Sequence, residues 1–475
     1  MQIPLLILFC LNAASGLIMF LASLLLERGD FYLPALIHTG LAGMLLFPCF
    51  TRTHVRLMDP FNFALLYILI GGLAPAYFIA FNQTSRIQYL MANQDLASFQ
   101  VGSLWYAISL VLIGLGYVSC RKRLPVERLL PSEHRLGAAG FQFALIVGMI
   151  LSVFAILSYI QSTGGIGASL ADISRKRSIE VVSHGEVVHA TGAYLRMLSD
   201  ISTILLLVVM SFYLARFKRL PLYISVQIWI LAILSLLVPF MASSRSSVIF
   251  VGLAILITLD ARNRLSGKVL IVTTVIGMTF FAAMTTLRSA AQQDTNEGGI
   301  ENPFLAMAES GNGLSLFGTT HIIQGVPERM SYQLGTTYFT WLVAPIPRTL
   351  WPQKPDVSLG KRIKEKIMQQ RVIRSGRPPS IINEGWINFG FLGFLFNAFV
   401  FGYALRLIGN SLYPVINNNT LAVPLLYTLT MNTAALTNSA LSQGIVRILT
   451  DAVLIGIVFI LIRYSFAKRT TEVPT

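Results

Sequence analysis

Acidic residues are scarce in this chain. Its 475 residues include 21 Asp and Glu against 36 Lys and Arg, and charged residues make up only 12% of the total. An ordinary soluble domain carries roughly 25%, so soluble domains of this combined size would lack the charge to cover their surfaces. Cysteine is also sparse. Cys10, Cys49 and Cys120 lie within or at the ends of apolar runs, and their spacing builds neither a disulfide framework nor a metal site. No GxxxxGK[ST] loop occurs, which removes the usual phosphate cradle for nucleotide hydrolysis. No GxSxG elbow, HExxH helix or DxD pair occurs either, so the common hydrolase and metal-assisted nucleotide-sugar motifs are missing. His184 and His189 flank Glu186, but the spacing is not diagnostic of a ligand set and reads as a solvated loop.

Long apolar runs are what the chain has in abundance. Hydrophobic residues reach 54% and the mean hydropathy is +0.67. A helix needs about 20 mainly apolar residues to cross the hydrocarbon core. By that rule twelve spans begin near Ile3, Phe31, Phe61, Val101, Leu136, Met197, Leu222, Ser246, Lys268, Gly385, Leu421 and Ile448. The first run, Ile3 to Leu26, lacks a basic leader and reads as a helix that stays. The expected fold is therefore an all-α polytopic integral membrane protein, one transmembrane domain over residues 1–475.

Orientation follows the Lys/Arg bias of short loops. The loops "TRTHVR", "CRKRLPVERLLPSEHR", "RFKR" and "ARNRLSGK" and the tail "KRTTEVPT" share one side if both termini are cytoplasmic. Two long loops, 161–196 and 288–384, then lie on the opposite face, and loops of that length tend to be functional.

Those external loops carry unexpected positive charge. The stretch "GKRIKEKIMQQRVIRSGRPPS" (Gly360–Ser380) is dense in Lys and Arg and holds a single Glu. One reading is an interfacial amphipathic helix. Leu359, Ile363 and Ile367 recur every four residues and would rest on the membrane, while Lys361, Arg362, Lys364 and Lys366 meet lipid phosphates. The other is an anion site, because Arg371, Arg374 and Arg377 continue into a turn and guanidinium binds phosphate through paired bonds that ammonium cannot make. Arg175 and Arg177 in "SRKRS", Arg245 in "ASSRSSV" and Arg288 in "TTLRSAA" fall at the same external level. A charge near membrane depth is costly and usually marks a pairing or a pathway, although terminal arginines also snorkel. A shared anion such as a diphosphate suits them all. In the eleventh span Thr428, Asn432, Ser439 and Gln443 fall on one helical face, as interhelical hydrogen bonds or as one wall of a sugar cavity.

The segment "APIPRTLWPQKPDVSLGK" (Ala344–Lys361), followed by "SIINEGWINFGFLGF" (Ser380–Phe394), resembles the O-antigen and oligosaccharide repeat-unit polymerases. "TGGIGASLADISRKR" is similar to that family's earlier periplasmic loop, and "SSRSSVI" to its Gly-Ser-Arg turn. The likeness covers about residues 160 to 410. It implies a C-type glycosyltransferase architecture in the bacterial inner membrane. It also implies transfer of a glycan from undecaprenyl pyrophosphate to the next lipid-linked repeat unit, without metal or other cofactor. On that resemblance Arg175, Arg177, Arg245, Arg288, Arg348, Arg362, Arg374 and Arg377 hold pyrophosphate, and Asn388 and Asn432 hold sugar. Glu384, the acid where the basic loop meets the tenth span, is the candidate general base. A salt bridge to Arg377 or Arg374 is its alternative role, and Glu309 and Glu328 are weaker candidates. Implied partners are lipid-linked glycans, membrane lipid, and the chain-length regulator (co-polymerase) and flippase of the same pathway, with no nucleic acid. An O-antigen ligase or a lipid-linked glycan flippase would share most of these features.

Overall fold

The computed structural model describes residues 2–25, 27, 29–51, 58–69, 96–128, 130, 138–162, 165, 180–183, 186–189, 198–241, 245–292, 314–344, 346, 350–353, 358–369 and 376–467. Described in chain order, the helices are α1 (Gln2–Leu25), α2 (Tyr32–Met44), α3 (Phe47–Thr51), α4 (Pro60–Ile68), α5 (Leu96–Ser119), α6 (Ala138–Ser162), α7 (Ile201–Arg216), α8 (Leu222–Met241), α9 (Arg245–Ala261), α10 (Gly267–Gln292), α11 (Leu316–Gly325), α12 (Thr340–Val343), α13 (Leu359–Arg362), α14 (Ile381–Ile416), α15 (Ala422–Ala435) and α16 (Leu441–Ala467). A short antiparallel hairpin pairs β1 (Glu180–Ser183) with β2 (Glu186–His189), Glu180 facing His189. It is the only strand pairing among the described residues, and it lies within the first long loop.

Among the described residues five helices are long and apolar enough to cross a membrane: Gln100–Ser119, Phe141–Gln161, Leu222–Met241, Ile381–Ile416 and Leu441–Ile462. Shorter apolar helices cover Ala13–Leu25, Ile201–Arg216, Val248–Ala261 and Gly267–Gly277. Large apolar side chains point outward from them, among them Phe154 at 64% and Trp229 at 69% exposure. Water would penalise such surfaces and lipid does not. The chain is a multi-pass membrane protein.

Two compact units make up the chain. One comprises Met1–Leu124, Asn302–Asn410 and Thr430–Arg447. Within it α1 packs on α2, and α2 and α11 pack on α5. Side chains fix the helix starts. Asp59 accepts from the Phe61 N–H at 3.0 Å with Pro60 in the first turn, and Ser315 accepts from the Gly318 N–H at 3.0 Å. Both satisfy donors that a helix N-terminus leaves open.

The other unit comprises Pro125–Glu301, Ser411–Leu429 and Ile448–Thr475. Its centre is α7, buried from Ile201 to Tyr213 and packed on α6, α8 and α9, as expected of a helix apolar on every side. Arg262, in the basic stretch after α9, donates to Ser211 Oγ at 2.7 and 3.1 Å and to the Ile416 carbonyl at 2.9 Å. Arg264 reaches the Phe217 carbonyl at 3.2 Å. These loop cations therefore also close helix ends, where terminal carbonyls lack partners.

Two sequence expectations change at the C-terminal end. The eleventh span does not continue through Ser439. α15 stops at Ala435, a 3-10 turn covers Leu436–Asn438, and Ser439 is extended (φ −153°, ψ 161°) before α16 begins. Thr428 and Asn432 thus share a helix, whereas Ser439 and Gln443 are on the far side of a break. The tenth span also starts differently, because α14 opens at Ile381 and is sharply broken at Phe389 and Gly390.

Candidate functional site

The break in α14 shapes the site. Gly390 has φ 62° and ψ −146°, a region that essentially only glycine enters without strain. The short helix before it folds back along the long helix after it. A Cβ on Gly385 would meet the Gly393 carbonyl oxygen at 2.2 Å, and Asn397 Nδ2 donates to the Ile381 carbonyl at 2.6 Å. In a continuous helix Ile381 and Asn397 would be about 24 Å apart at 1.5 Å per residue. The three glycines of "EGWINFGFLG" thus supply one permissive backbone angle and one close crossing.

Glu384 lies in this folded-back helix, fully buried. Its Oε1 accepts from Thr337 Oγ1 at 2.6 Å and its Oε2 from the Leu441 N–H at 2.6 Å. The second contact uses the first N–H of α16. A carboxylate at a helix N-terminus is favoured by the open N–H groups and the dipole. Both partners of the carboxylate are neutral, so the described site holds it by hydrogen bonds rather than by an arginine. Arg374 lies outside the described residues.

Asn388 closes the other side. Its Nδ2 donates to Thr337 Oγ1 at 2.7 Å and to the Glu384 carbonyl at 2.9 Å, and its Oδ1 accepts from the Gly335 N–H at 2.9 Å. Both amide hydrogens are committed. The Gln333 and Leu334 N–H groups bond to the Ile387 and Asn388 carbonyls at 3.0 and 3.2 Å. Segment 333–340 is therefore tied to the C-terminal end of the folded-back helix. Tyr338 joins it, accepting from Asn397 Nδ2 at 2.8 Å. Burial first, and then the nearby Glu384 charge, push the Tyr338 phenol up to about 12. It is a neutral hydroxyl at physiological pH.

Cations border this cluster. Arg362 Nη2 donates to Gln333 Oε1, which connects α13 to the same segment. Arg377 is buried, with its N–H bonded to the Gly360 carbonyl at 2.9 Å and Nη1 3.4 Å from Met368 Sδ. Burial lowers its pKa to about 10, which leaves it charged at neutral pH. Arg329 donates to the Ile367 carbonyl at 2.9 Å. His321 donates from Nδ1 to the Phe317 carbonyl at 2.7 Å, and burial, together with the charges of Arg377 and Arg329, lowers its pKa to about 4. The structure thus keeps His321 neutral beside two guanidinium groups.

The membrane-surface reading of the basic block is corrected here. Leu359, Ile363 and Ile367 are buried, and they pack with Ile322, Val326, Met330 and Ile387. The four-residue period marked a buried face, but the cover is α11 and the folded-back helix, not lipid. A helix of one turn, α13, runs into a π turn at Ile363–Ile367.

Of the residues singled out by sequence, Glu384, Asn388, Arg362 and Arg377 lie in one unit, the first three linked through segment 333–340 and Arg377 tied to Gly360 beside Arg362. Asn432 is buried near the end of α15 in that unit. Arg245 opens α9 and Arg288 lies near the end of α10, both in the other unit. Arg175, Arg177, Arg348 and Arg374 lie outside the described residues, as do Glu309 and His184. Thr337, Gly335, Tyr338, Arg329 and His321 escaped the sequence reading. The polar run "SYQLGTTYFT" amid apolar surroundings is the signal that could have found the first three. Comparison of the chain with protein-family models, curated proteins and solved structures finds no significant match.

Proposed function

We propose that this chain polymerises lipid-linked glycan repeat units, transferring a growing glycan from its pyrophosphate carrier to the next unit at the periplasmic leaflet of a bacterial inner membrane. One observation carries the reading. The "NFGxxG" stretch that bears the family resemblance is where α14 breaks, and Glu384, in the helix before that break, shares one unit with Arg362 and Arg377. Twelve spans with both termini cytoplasmic complete the proposal, supported by the loop charges and by the helices that begin near the expected positions.

In the proposed step an acceptor hydroxyl attacks the anomeric carbon of the donor's first sugar. The bond from that carbon to the pyrophosphate oxygen breaks, and the electron pair leaves on the carrier pyrophosphate. Guanidinium groups held in place beforehand stabilise the developing charge, and Arg362 and Arg377 are the described candidates. The hydroxyl proton goes to Glu384, for which segment 333–340 must move aside, since Thr337 now occupies Oε1. The same hydrogen bonds favour a second reading for Glu384 alone, as a tie between segment 333–340, the folded-back helix and the start of α16.

Purified protein supplied with undecaprenyl-pyrophosphate-linked repeat units decides between these. As the base, Glu384→Gln keeps the melting temperature within a few degrees and slows polymerisation about 10²–10⁴-fold. As a tie, it lowers the melting temperature and leaves the turnover of folded protein close to wild type. Polymer absent even with the wild-type chain, together with glycan transfer to another acceptor or transport without transfer, would replace the polymerase by a ligase or a flippase.

A further inference from the structure

A second basic site lies at the opposite end of α5, away from the chemistry proposed for Glu384. A cavity of about 490 Å³ is lined by Val118, Cys120, Arg121, Arg123, Arg406 and Asn410. We propose that it binds the phosphate headgroup of an anionic phospholipid, with an acyl chain lying along α5.

Local packing builds the cavity. A Cβ on Gly116 would meet the Phe399 carbonyl oxygen at 2.0 Å, and one on Gly402 would meet the Ile113 carbonyl oxygen at 1.9 Å. α5 and α14 therefore touch backbone to backbone, as small residues allow in membrane helices. Past that crossing α5 ends, and the chain after it diverges and is pinned by Asn410. Asn410 Nδ2 donates to the Cys120 and Lys122 carbonyls at 3.3 and 3.2 Å, which holds Arg121 and Arg123 at the rim. Arg406, one turn before Asn410, supplies the third guanidinium. Its Nη1 donates to Tyr117 Oη at 3.2 Å and its charge lies 5.0 Å from that ring.

Charge and shape together select the ligand. Basic residues after a helix C-terminus are expected from the dipole alone, but that does not account for a third guanidinium from another helix around a void. Among the described residues no carboxylate lines the cavity. The network reaches Asp59, whose Oδ1 accepts from Tyr117 Oη at 3.4 Å and also caps α4. Arginine clusters beside the end of a spanning helix suit lipid phosphates, and paired guanidinium bonds suit the phosphate group. A free phosphate shares that chemistry, and the apolar approach separates the two. Val111, Leu115 and Val118 are 59%, 53% and 49% exposed. Spaced by four and three, they form one stripe that ends at the cavity wall with Val118.

The full-length protein in detergent micelles tests this by native mass spectrometry against phosphatidylglycerol, phosphatidylcholine and inorganic phosphate. Wild type retains phosphatidylglycerol in preference to phosphatidylcholine, and millimolar phosphate does not displace it. Arg121→Gln with Arg123→Gln, at two exposed positions, weakens retention about tenfold or more, as loss of charge-assisted hydrogen bonds predicts. Lys268→Gln, an exposed cation at the start of α10, changes nothing. Arg406→Gln tests the third contact, and the double variant remains readable if that one misfolds. Equal retention by the double variant, equal retention of phosphatidylcholine, or displacement by phosphate overturns the lipid assignment.

Discussion

At the residue scale, the site pairs a buried acid satisfied by neutral donors with cations of the same unit, of which Arg377 is buried and Arg362 half-buried. His321 reports on those cations. Its folded-state pKa of about 4 lies below the usual 6.5 because the imidazole is buried and faces Arg377 and Arg329. The unfolded chain therefore takes up a proton as pH falls below about 6.5, while the folded chain does not. The stability this group contributes is fully present above that value and is lost as pH drops towards 4. Melting temperatures of the wild type should fall across this window, and His321→Phe should fall less steeply because it removes the titrating group. Identical slopes would mean that the imidazole is protonated in the folded state. Glu384 was legible in the sequence because it is an isolated acid after a basic block. Thr337 was not, because a hydroxyl 47 positions upstream carries no local sign of the carboxylate it meets. The N–H of Leu441 is a backbone group, and side-chain identity says nothing about it.

Among the elements, α14 shows how a readable motif acquires a physical meaning. Asn388, Phe389 and Gly390 could be matched to a family pattern, yet hydropathy alone gave a straight span from Gly385. The fold-back depends on Gly390 having φ 62° and on the absence of side chains at Gly385 and Gly393, and a hydropathy window sees none of this. Gly390→Ala forces an unfavourable backbone region and brings its Cβ to 3.2 Å from Tyr332 Oη. The expected cost is about 1–3 kcal/mol, seen as a lower melting temperature, together with loss of polymerisation if the fold-back positions Glu384. An unchanged melting temperature would show that the backbone reaches the same shape without glycine. The basic block teaches a related lesson. Its period of four correctly marked Leu359, Ile363 and Ile367 as one face, but periodicity records that a face is covered and not by what. The eleventh span failed for another reason, since "LTNSA" contains residues that favour turns inside a composition still apolar enough to pass as one helix.

For the whole molecule, composition alone gave the membrane class, because so little charge cannot coat soluble domains, and the outward-facing apolar helices agree with it. Sidedness rests on the distribution of Lys and Arg. Both the polymerase proposal and the lipid site depend on it, and they require opposite faces. Pro125 follows the arginine cavity and is exposed, and Gln353 is exposed in the second long loop. After replacement of Cys10, Cys49 and Cys120, a cysteine at Gln353 should react in intact cells with a thiol reagent that reaches the periplasm but does not cross the inner membrane. A cysteine at Pro125 should react only once that membrane is opened. Reversed labelling would place the Arg362 and Arg377 cluster in the cytoplasm, where carrier-linked repeat units are made rather than polymerised, and the polymerase reading would fall with it. Labelling of both positions from one side would require an even number of crossings between them, against the five that the twelve-span arrangement places there. That outcome would mean that one apolar run between α5 and α14 does not span, and the short apolar helices Ile201–Arg216 and Val248–Ala261 are where to look for it.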